Sequence, residues 1–154
     1  MIIVEINKRE LKMEITKKVL TNLPKWFGIP ESTEEYITNC ADLPYWACYI
    51  EEIPVGFLSA KQNTPSTGEI YVMGIEESYH RKGIGKALFQ RCYEWCKENN
   101  LEFLQVKTLD SSSPDPNYAI TRKYYEHMGF KPFEVFDLLW GTGNPCLIMV
   151  KHIT

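Results

Sequence analysis

The chain has 154 residues, 44% apolar and 24% charged, which is an ordinary globular composition without a disordered signature. That length supports one domain with a real core, over residues 1–154, and is short for two. The formal net charge of −3 gives no electrostatic ground for nucleic-acid binding, because such binders present a basic face. Five cysteines, an odd number with no C-x-x-C pair, point to reduced thiols and a cytoplasmic setting. The N-terminal residues lack a signal-peptide pattern and no apolar run reaches membrane-spanning length, so no membrane association is expected.

Ile2 to Ile6 reads as a short strand. Asn7 is placed to cap a helix running through about Asn22, with Leu11, Ile15, Val19 and Leu20 marking its apolar stripe. Pro24 to Pro30 breaks that helix and carries Trp26 and Phe27 outward. Ser32-Thr33-Glu34-Glu35 has a capping-box pattern and starts a short helix holding Tyr36, Ile37 and Cys40. Tyr45–Glu51 and Val55–Gln62 form a hairpin that turns at Glu52-Ile53-Pro54. Asn63–Gly68 is a turn-rich connection to a third strand of this group, Glu69–Ile75.

An amphipathic helix begins near Gly83 and runs to about Asn99. Its residues Ile84, Leu88, Cys92, Trp95 and Cys96 fall on one stripe at 3.6-residue spacing. Both cysteines of that stripe read as core, and with no histidine nearby to complete a ligand set no metal is expected. Phe103–Thr108 is a strand, expected parallel to Glu69–Ile75 through a right-handed crossover. Asp110–Pro116 is a loop, and Asn117–Met128 a helix ended by Gly129 at its C′ position. Phe133–Trp140 and Cys146–His152 are closing strands on either side of Gly141–Pro145.

The organising stretch is Tyr79-His80-Arg81-Lys82-Gly83-Ile84-Gly85, between a strand and a helix. Unpaired N–H groups, the positive end of the helix dipole and cationic side chains together make an anion site, most naturally for phosphate. A Walker loop needs an earlier glycine where His80 stands, and Ser or Thr where Ala87 stands. A dinucleotide fingerprint needs a third glycine where Leu88 stands. Both readings fail, and Gly-x-Gly alone is equally a turn that requires glycine geometry.

His80-x-x-Gly83-x-Gly85, after a strand and opening a helix, resembles motif A of the GNAT superfamily of acyl-CoA-dependent N-acetyltransferases. Thr121-Arg122-Lys123-Tyr124-Tyr125-Glu126-His127-Met128-Gly129-Phe130 resembles the family's motif B, a helix carrying Tyr-Glu and ending in Gly-Phe. The two come in the family's order with a strand between them. The usual first residue of motif A is Arg or Gln, so His80 departs, while Arg81 and Lys82 keep the loop cationic. The resemblance implies an α/β (α+β) GNAT fold, a mixed and mostly antiparallel sheet of about seven strands flanked by about four helices, in the order β-α-α-β-β-β-α-β-α-β-β. It also implies an acetyl-CoA-dependent N-acetyltransferase that transfers acetyl directly to an amine, with no metal. The alternative is a catalytically weak acyl-CoA-binding sensor of the same fold.

Site residues follow from the resemblance. His80, Arg81, Lys82, Gly83, Ile84, Gly85 and Lys86 would bind the CoA pyrophosphate, largely through backbone N–H groups. Met73, Gly74 and Ile75 would offer backbone groups to the pantetheine arm, Met73 also as an oxyanion donor, although Gly74 equally fits simple close packing. Tyr125 would be the general acid for the departing thiolate, with a packed core aromatic as the competing role. Glu69 would be the general base acting through water, against an ordinary solvated strand-end charge. Where many members carry an Asn that touches CoA, this chain has Tyr118 with Asn117 beside it. Trp26, Phe27, Tyr45 and Trp46 are candidates to line the acceptor pocket, two of them expected to serve only packing. Nothing in the sequence separates a monomer from a homodimer.

Overall fold

In the computed structural model, which describes every residue from Met1 to Thr154, seven strands and four helices alternate as the sequence pattern predicts. They are β1 (Ile2–Glu5), α1 (Arg9–Thr21), α2 (Pro30–Cys40), β2 (Tyr45–Ile50), β3 (Ile53–Gln62), β4 (Thr67–Ile75), α3 (Ile84–Glu98), β5 (Phe103–Leu109), α4 (Pro116–His127), β6 (Lys131–Phe136) and β7 (Cys146–His152). The strands form one sheet in the order β1-β2-β3-β4-β5-β7-β6. β4 and β5 pair in parallel over Thr67↔Phe103, Gly68↔Leu104 and Glu69↔Gln105. The β1–β2, β2–β3, β5–β7 and β6–β7 pairs are antiparallel. The chain packs as two compact units, Met1–Lys61 with Ile70–Trp95, and Gln62–Glu69 with Cys96–Thr154.

The first unit is built around Ile6, Ile15, Val19, Leu20, Leu23, Cys40, Tyr45, Ala47, Phe57 and Val72. The stripe Leu11, Ile15, Val19 and Leu20 is thus what seats α1, as apolar burial dictates. Two polar groups enter this core with partners. Thr16 Oγ1 donates to the Lys12 carbonyl at 2.7 Å and meets the Tyr45 hydroxyl at 2.8 Å. Lys12 Nζ donates to the Leu43 carbonyl at 2.7 Å, so a nearly buried cation is held against an acceptor. In the second unit Leu104, Val106, Leu147 and Met149 are buried on the paired strands β5 and β7.

The differences from the sequence expectation have local causes. The N-cap of α1 is Lys8 with no side-chain cap bond, so Asn7 does not cap it. α2 starts at Pro30, ahead of the Ser32 capping-box pattern, because proline fixes a helical φ and lacks only an N–H that the first turn leaves unpaired. The same rule starts α4 at Pro116, capped by Asp115, whose carboxylate accepts from the Asn117 N–H at 2.9 Å. β4 begins two residues early at Thr67, and β5 runs on to Leu109. β6 covers Lys131–Phe136 rather than Phe133–Trp140. Its apolar sequel Leu138-Leu139-Trp140 turns away, with the Gly141 N–H bonded to the Leu138 carbonyl and Leu138 left 76% exposed.

The β2–β3 turn is Glu51-Glu52, one residue ahead of expectation, with Ile50 facing Ile53. Both glutamates take positive φ, 50° and 67°, which two-residue hairpins require and which Asn-Gly supplies without the steric penalty of a Cβ. Replacing Glu51-Glu52 by Asn-Gly should therefore stabilise the protein by about 1 kcal/mol. That is a rise of roughly 2–4 °C in thermal midpoint at this size, measured by calorimetry; an unchanged or lower midpoint contradicts the assignment.

Candidate active site

The cationic loop lies in the first unit, between β4 and α3. A 3-10 turn, Glu77–Tyr79, follows the strand, then His80 is extended and Arg81 and Gly83 take positive φ, 60° and 81°. A Cβ built on Gly83 would meet nothing within 4 Å, so the glycine serves the backbone conformation and leaves the approach to the helix end open. The Gly83 carbonyl accepts from the Ala87 N–H at 3.1 Å, which starts α3. The positive end of the α3 dipole therefore lies at this loop. Arg81, Lys82, Gly83 and Lys86 are exposed and Gly85 half-buried, while Ile84 turns into the core at 1% exposure. Lys82 Nζ lies over the Tyr79 ring, 5.3 Å from its centre.

His80 differs in direction from its cationic neighbours. Its Nε2 is 2.6 Å from the Ile75 carbonyl, the last residue of β4, and its ring meets the edge of Trp26 at 5.7 Å. Three further contacts tie this turn to the end of α1 and the segment after it. Asn22 Nδ2 donates to Glu76 Oε1 at 2.7 Å, with Lys18 Nζ 3.4 Å from the same oxygen, and Lys25 Nζ lies 2.9 Å from Glu77 Oε2. Sequence reasoning missed this seam, whose only trace is two acidic residues following the strand and two lysines and an asparagine spaced along one helix end.

On β4 itself Met73 and Ile75 are half-buried and Gly74 is buried. A Cβ on Gly74 would stand 3.1 Å from both Val19 Cγ1 and Leu23 Cδ1 and 3.3 Å from Leu20 Cδ2. Close packing of α1 is therefore what this glycine permits.

The four aromatic candidates divide evenly. Tyr45 is fully buried, stacked on Phe57 at 5.2 Å with its hydroxyl on Thr16, and burial drives its phenol far above the ordinary range. Trp46 is 3% exposed and meets Trp95 edge-on at 6.3 Å. These two are packed in the core, the role expected for two of the four. Trp26 and Phe27 are half-buried on the core's margin rather than fully outside. Phe27 contacts Tyr36 edge-on at 5.9 Å, and Tyr36 contacts Tyr71 at 5.4 Å.

Glu69, Asn117, Tyr118 and Tyr125 belong to the second unit. Glu69 is 4% exposed, not a solvated strand end. Its Oε1 accepts from Asn63 Nδ2 at 2.8 Å and Gln105 Nε2 at 3.0 Å, while Oε2 has Lys107 Nζ at 3.7 Å. Gln105 and Lys107 are two apart on β5 and so share a face. Given the expected parallel pairing, that alternation was the available signal for them.

Tyr125 is 5% exposed, with its ring 5.2 Å from Tyr124 and 5.6 Å from Phe130. The end of α4 explains its setting. Gly129 has φ 96° and its N–H bonds the Glu126 carbonyl, while the Phe130 N–H bonds the Tyr125 carbonyl, both at 3.0 Å. This is a Schellman motif, in which the residue after the glycine packs on the residue five before it. The Tyr-Glu…Gly-Phe spacing thus fixes the tyrosine's backbone and one side of its ring. Asn117 and Tyr118, in the first turn of α4, are half-buried, and burial first, then the Asp115 charge, raises the Tyr118 phenol.

Residues 14–130 match the model of the Acetyltransferase (GNAT) family, and the chain belongs to that family. It is 28% identical over 95 residues to the uncharacterized N-acetyltransferase YsnE of Bacillus subtilis (strain 168), covering 62% of this chain and 60% of that protein. It spans 60% or less of the length of the curated relatives it matches. Its fold is similar to that of the aminoglycoside 6′-N-acetyltransferase from Enterococcus faecium, with TM-score 0.77 and 19% identity over 100% of this chain and 98% of that one. An aminoglycoside 6′-N-acetyltransferase complexed with coenzyme A gives TM-score 0.76 and 19% identity at the same coverage. The expected GNAT architecture is therefore the observed one.

The buried thiols give this structure a pH signature. Burial pushes Cys40 and Cys146 each up to about 11, the latter offset in part by Lys107. An unfolded thiol ionises near 8.5, so above that pH the unfolded state holds fewer protons than the folded one and stability falls as pH rises. The thermal midpoint should hold below about pH 8 and drop between about 9 and 11. The drop should shrink in a Cys40→Ala, Cys146→Ala variant; an undiminished drop would rule out the thiols as its source.

Proposed function

We propose that the chain, acting as one domain over residues 1–154, is an acetyl-CoA-dependent N-acetyltransferase that passes acetyl directly to a primary amine of a small molecule or peptide through a tetrahedral intermediate. The observation that carries this reading is the loop His80–Lys86, with left-handed Arg81 and Gly83, an open approach at Gly83 and exposed cations at the start of α3. A diphosphate fits that chemistry, since backbone N–H groups and the helix dipole favour an anion that side-chain charge alone would hold loosely. Membership in the acetyltransferase family supports acetyl-CoA as its bearer.

Roles for the other residues follow. Backbone N–H of Met73 is assigned to the oxyanion, a donor fixed in a strand before charge develops. The amine must lose a proton to attack, and Glu69 is assigned to accept it through water. Its Oε1 is committed to Asn63 and Gln105, which leaves Oε2, near Lys107, as the accepting oxygen. Tyr125 is assigned to donate its phenolic proton to the sulfur as the carbon–sulfur bond breaks, a match in acidity between phenol and alkanethiol. Asn117 and Tyr118 stand as further cofactor contacts, and Trp26 and Phe27 as acceptor-lining side chains.

Saturating acetyl-CoA at about a hundred times its dissociation constant should stabilise the protein by about 2.7 kcal/mol. That is a rise of roughly 5 °C or more in thermal midpoint, and no shift with any acyl-CoA or CoA would end this reading. In a thiol-release assay over an amine panel, Tyr125→Phe should lower turnover by about 10²–10⁴ with acetyl-CoA affinity unchanged. Full turnover in that variant would remove Tyr125 as the acid. Glu69→Gln should lower turnover at saturating amine with acetyl-CoA affinity unchanged; a lower thermal midpoint with intact turnover would make Glu69 a structural anchor only.

A further inference from the structure

We propose that His80 is a positioning residue for the anion loop, acting as a side-chain staple between that loop and the end of β4; this rests on the reading of the loop as the pyrophosphate site. Ile75 closes β4 and Ile84 opens α3, and the stretch between them has few backbone bonds of its own. The Tyr79 N–H bonds the Glu76 carbonyl and the His80 N–H bonds the Glu77 carbonyl, both within the 3-10 turn. Beyond His80 the chain swings through the left-handed Arg81 to Gly83 with exposed side chains.

His80 is the last anchored side chain before that swing. Its Nε2–H donates to the Ile75 carbonyl at 2.6 Å, closing a ring from strand end to loop that fixes where Arg81 begins. An N–H on Nε2 is present in the protonated imidazole and in one neutral tautomer, so the bond needs no particular charge. The ring's edge contact with Trp26 at 5.7 Å holds the imidazole plane from the other side. Glu76 and Glu77, bonded to Asn22 and Lys25, secure the near end of the same turn. The arrangement also means that the Ile75 carbonyl is already engaged, so the loop and the strand end are set together.

The donor and the ring can be separated by substitution. His80→Gln keeps an N–H donor on a side chain of similar reach and removes the ring; His80→Phe keeps a ring against Trp26 and removes the donor. Isothermal titration of the full chain with acetyl-CoA is the readout, alongside the ligand-free thermal midpoint. Expected is binding by His80→Gln within threefold of the parent and at least tenfold weaker binding by His80→Phe, with ligand-free midpoints that agree. Wild-type-like affinity in His80→Phe, or equal loss in both variants, overturns the staple. A parent protein that binds no acetyl-CoA or CoA fails the functional reading instead, which separates the two results. Should His80→Phe fold poorly, His80→Leu supplies the donor-free comparison on the same terms.

Discussion

At Gly74 the absence of a side chain lets α1 lie against β4 with Val19, Leu20 and Leu23 at the distance of a missing Cβ. Gly56, on the neighbouring strand, leaves room for β4 itself, since a Cβ there would stand 3.2 Å from the Gly74 carbonyl and from Ile75 Cγ1. Interiors are packed too densely to absorb an added methyl without moving something. The height of α1 over β4 is therefore set at Gly74. That height decides where Asn22, Lys25 and Trp26 fall, and these are the residues that meet Glu76, Glu77 and His80. The loop's placement thus descends from a packing constraint at the end of α1.

The second unit solves a comparable problem with a helix end. Tyr125 sits at the position whose carbonyl and side chain the Schellman motif engages, so Gly129 and Phe130 fix it from outside the helix. Glu69 is fixed by amide donors from a loop and a neighbouring strand. Tyr125 and Glu69, the side chains assigned to proton transfer in the proposed function, would thus each be held by residues outside the reacting centre, which is how a site gains rigidity without adding groups to it.

Much of this was legible in the chain itself, and the exceptions have physical reasons. Helix α3 was readable because its periodicity is long and unbroken from Ile84 through Cys96, and strand β7 because Cys146–Val150 is a continuous apolar run preceded by turn residues. Helix starts were misplaced wherever a proline offered a better first position than a polar cap, at Pro30 and Pro116. The bounds of β6 were misread because Leu138-Leu139-Trp140 is apolar yet exposed, and hydrophobicity cannot report pairing. Within the candidate site, backbone geometry at Gly83 and Gly129 was readable because glycine leaves a trace in sequence. The direction of His80 was not, since a histidine among cations looks like another cation until the Ile75 carbonyl is seen beside it.

Net charge also misleads at this scale. A chain carrying −3 overall would seem a poor host for an anion, yet Arg81, Lys82 and Lys86 cluster within one loop and first turn. Screening at physiological salt damps interactions between exposed charges beyond about 8 Å, so a bound diphosphate would sense these cations and the helix end far more than the distant carboxylates. The nearest acidic residues, Glu76 and Glu77, are moreover partnered by Asn22, Lys18 and Lys25. An extended polyanion would meet the whole surface and its net negative charge, whereas one compact anion meets only the loop. The same composition that argues against nucleic acid therefore leaves a small phosphorylated ligand unopposed.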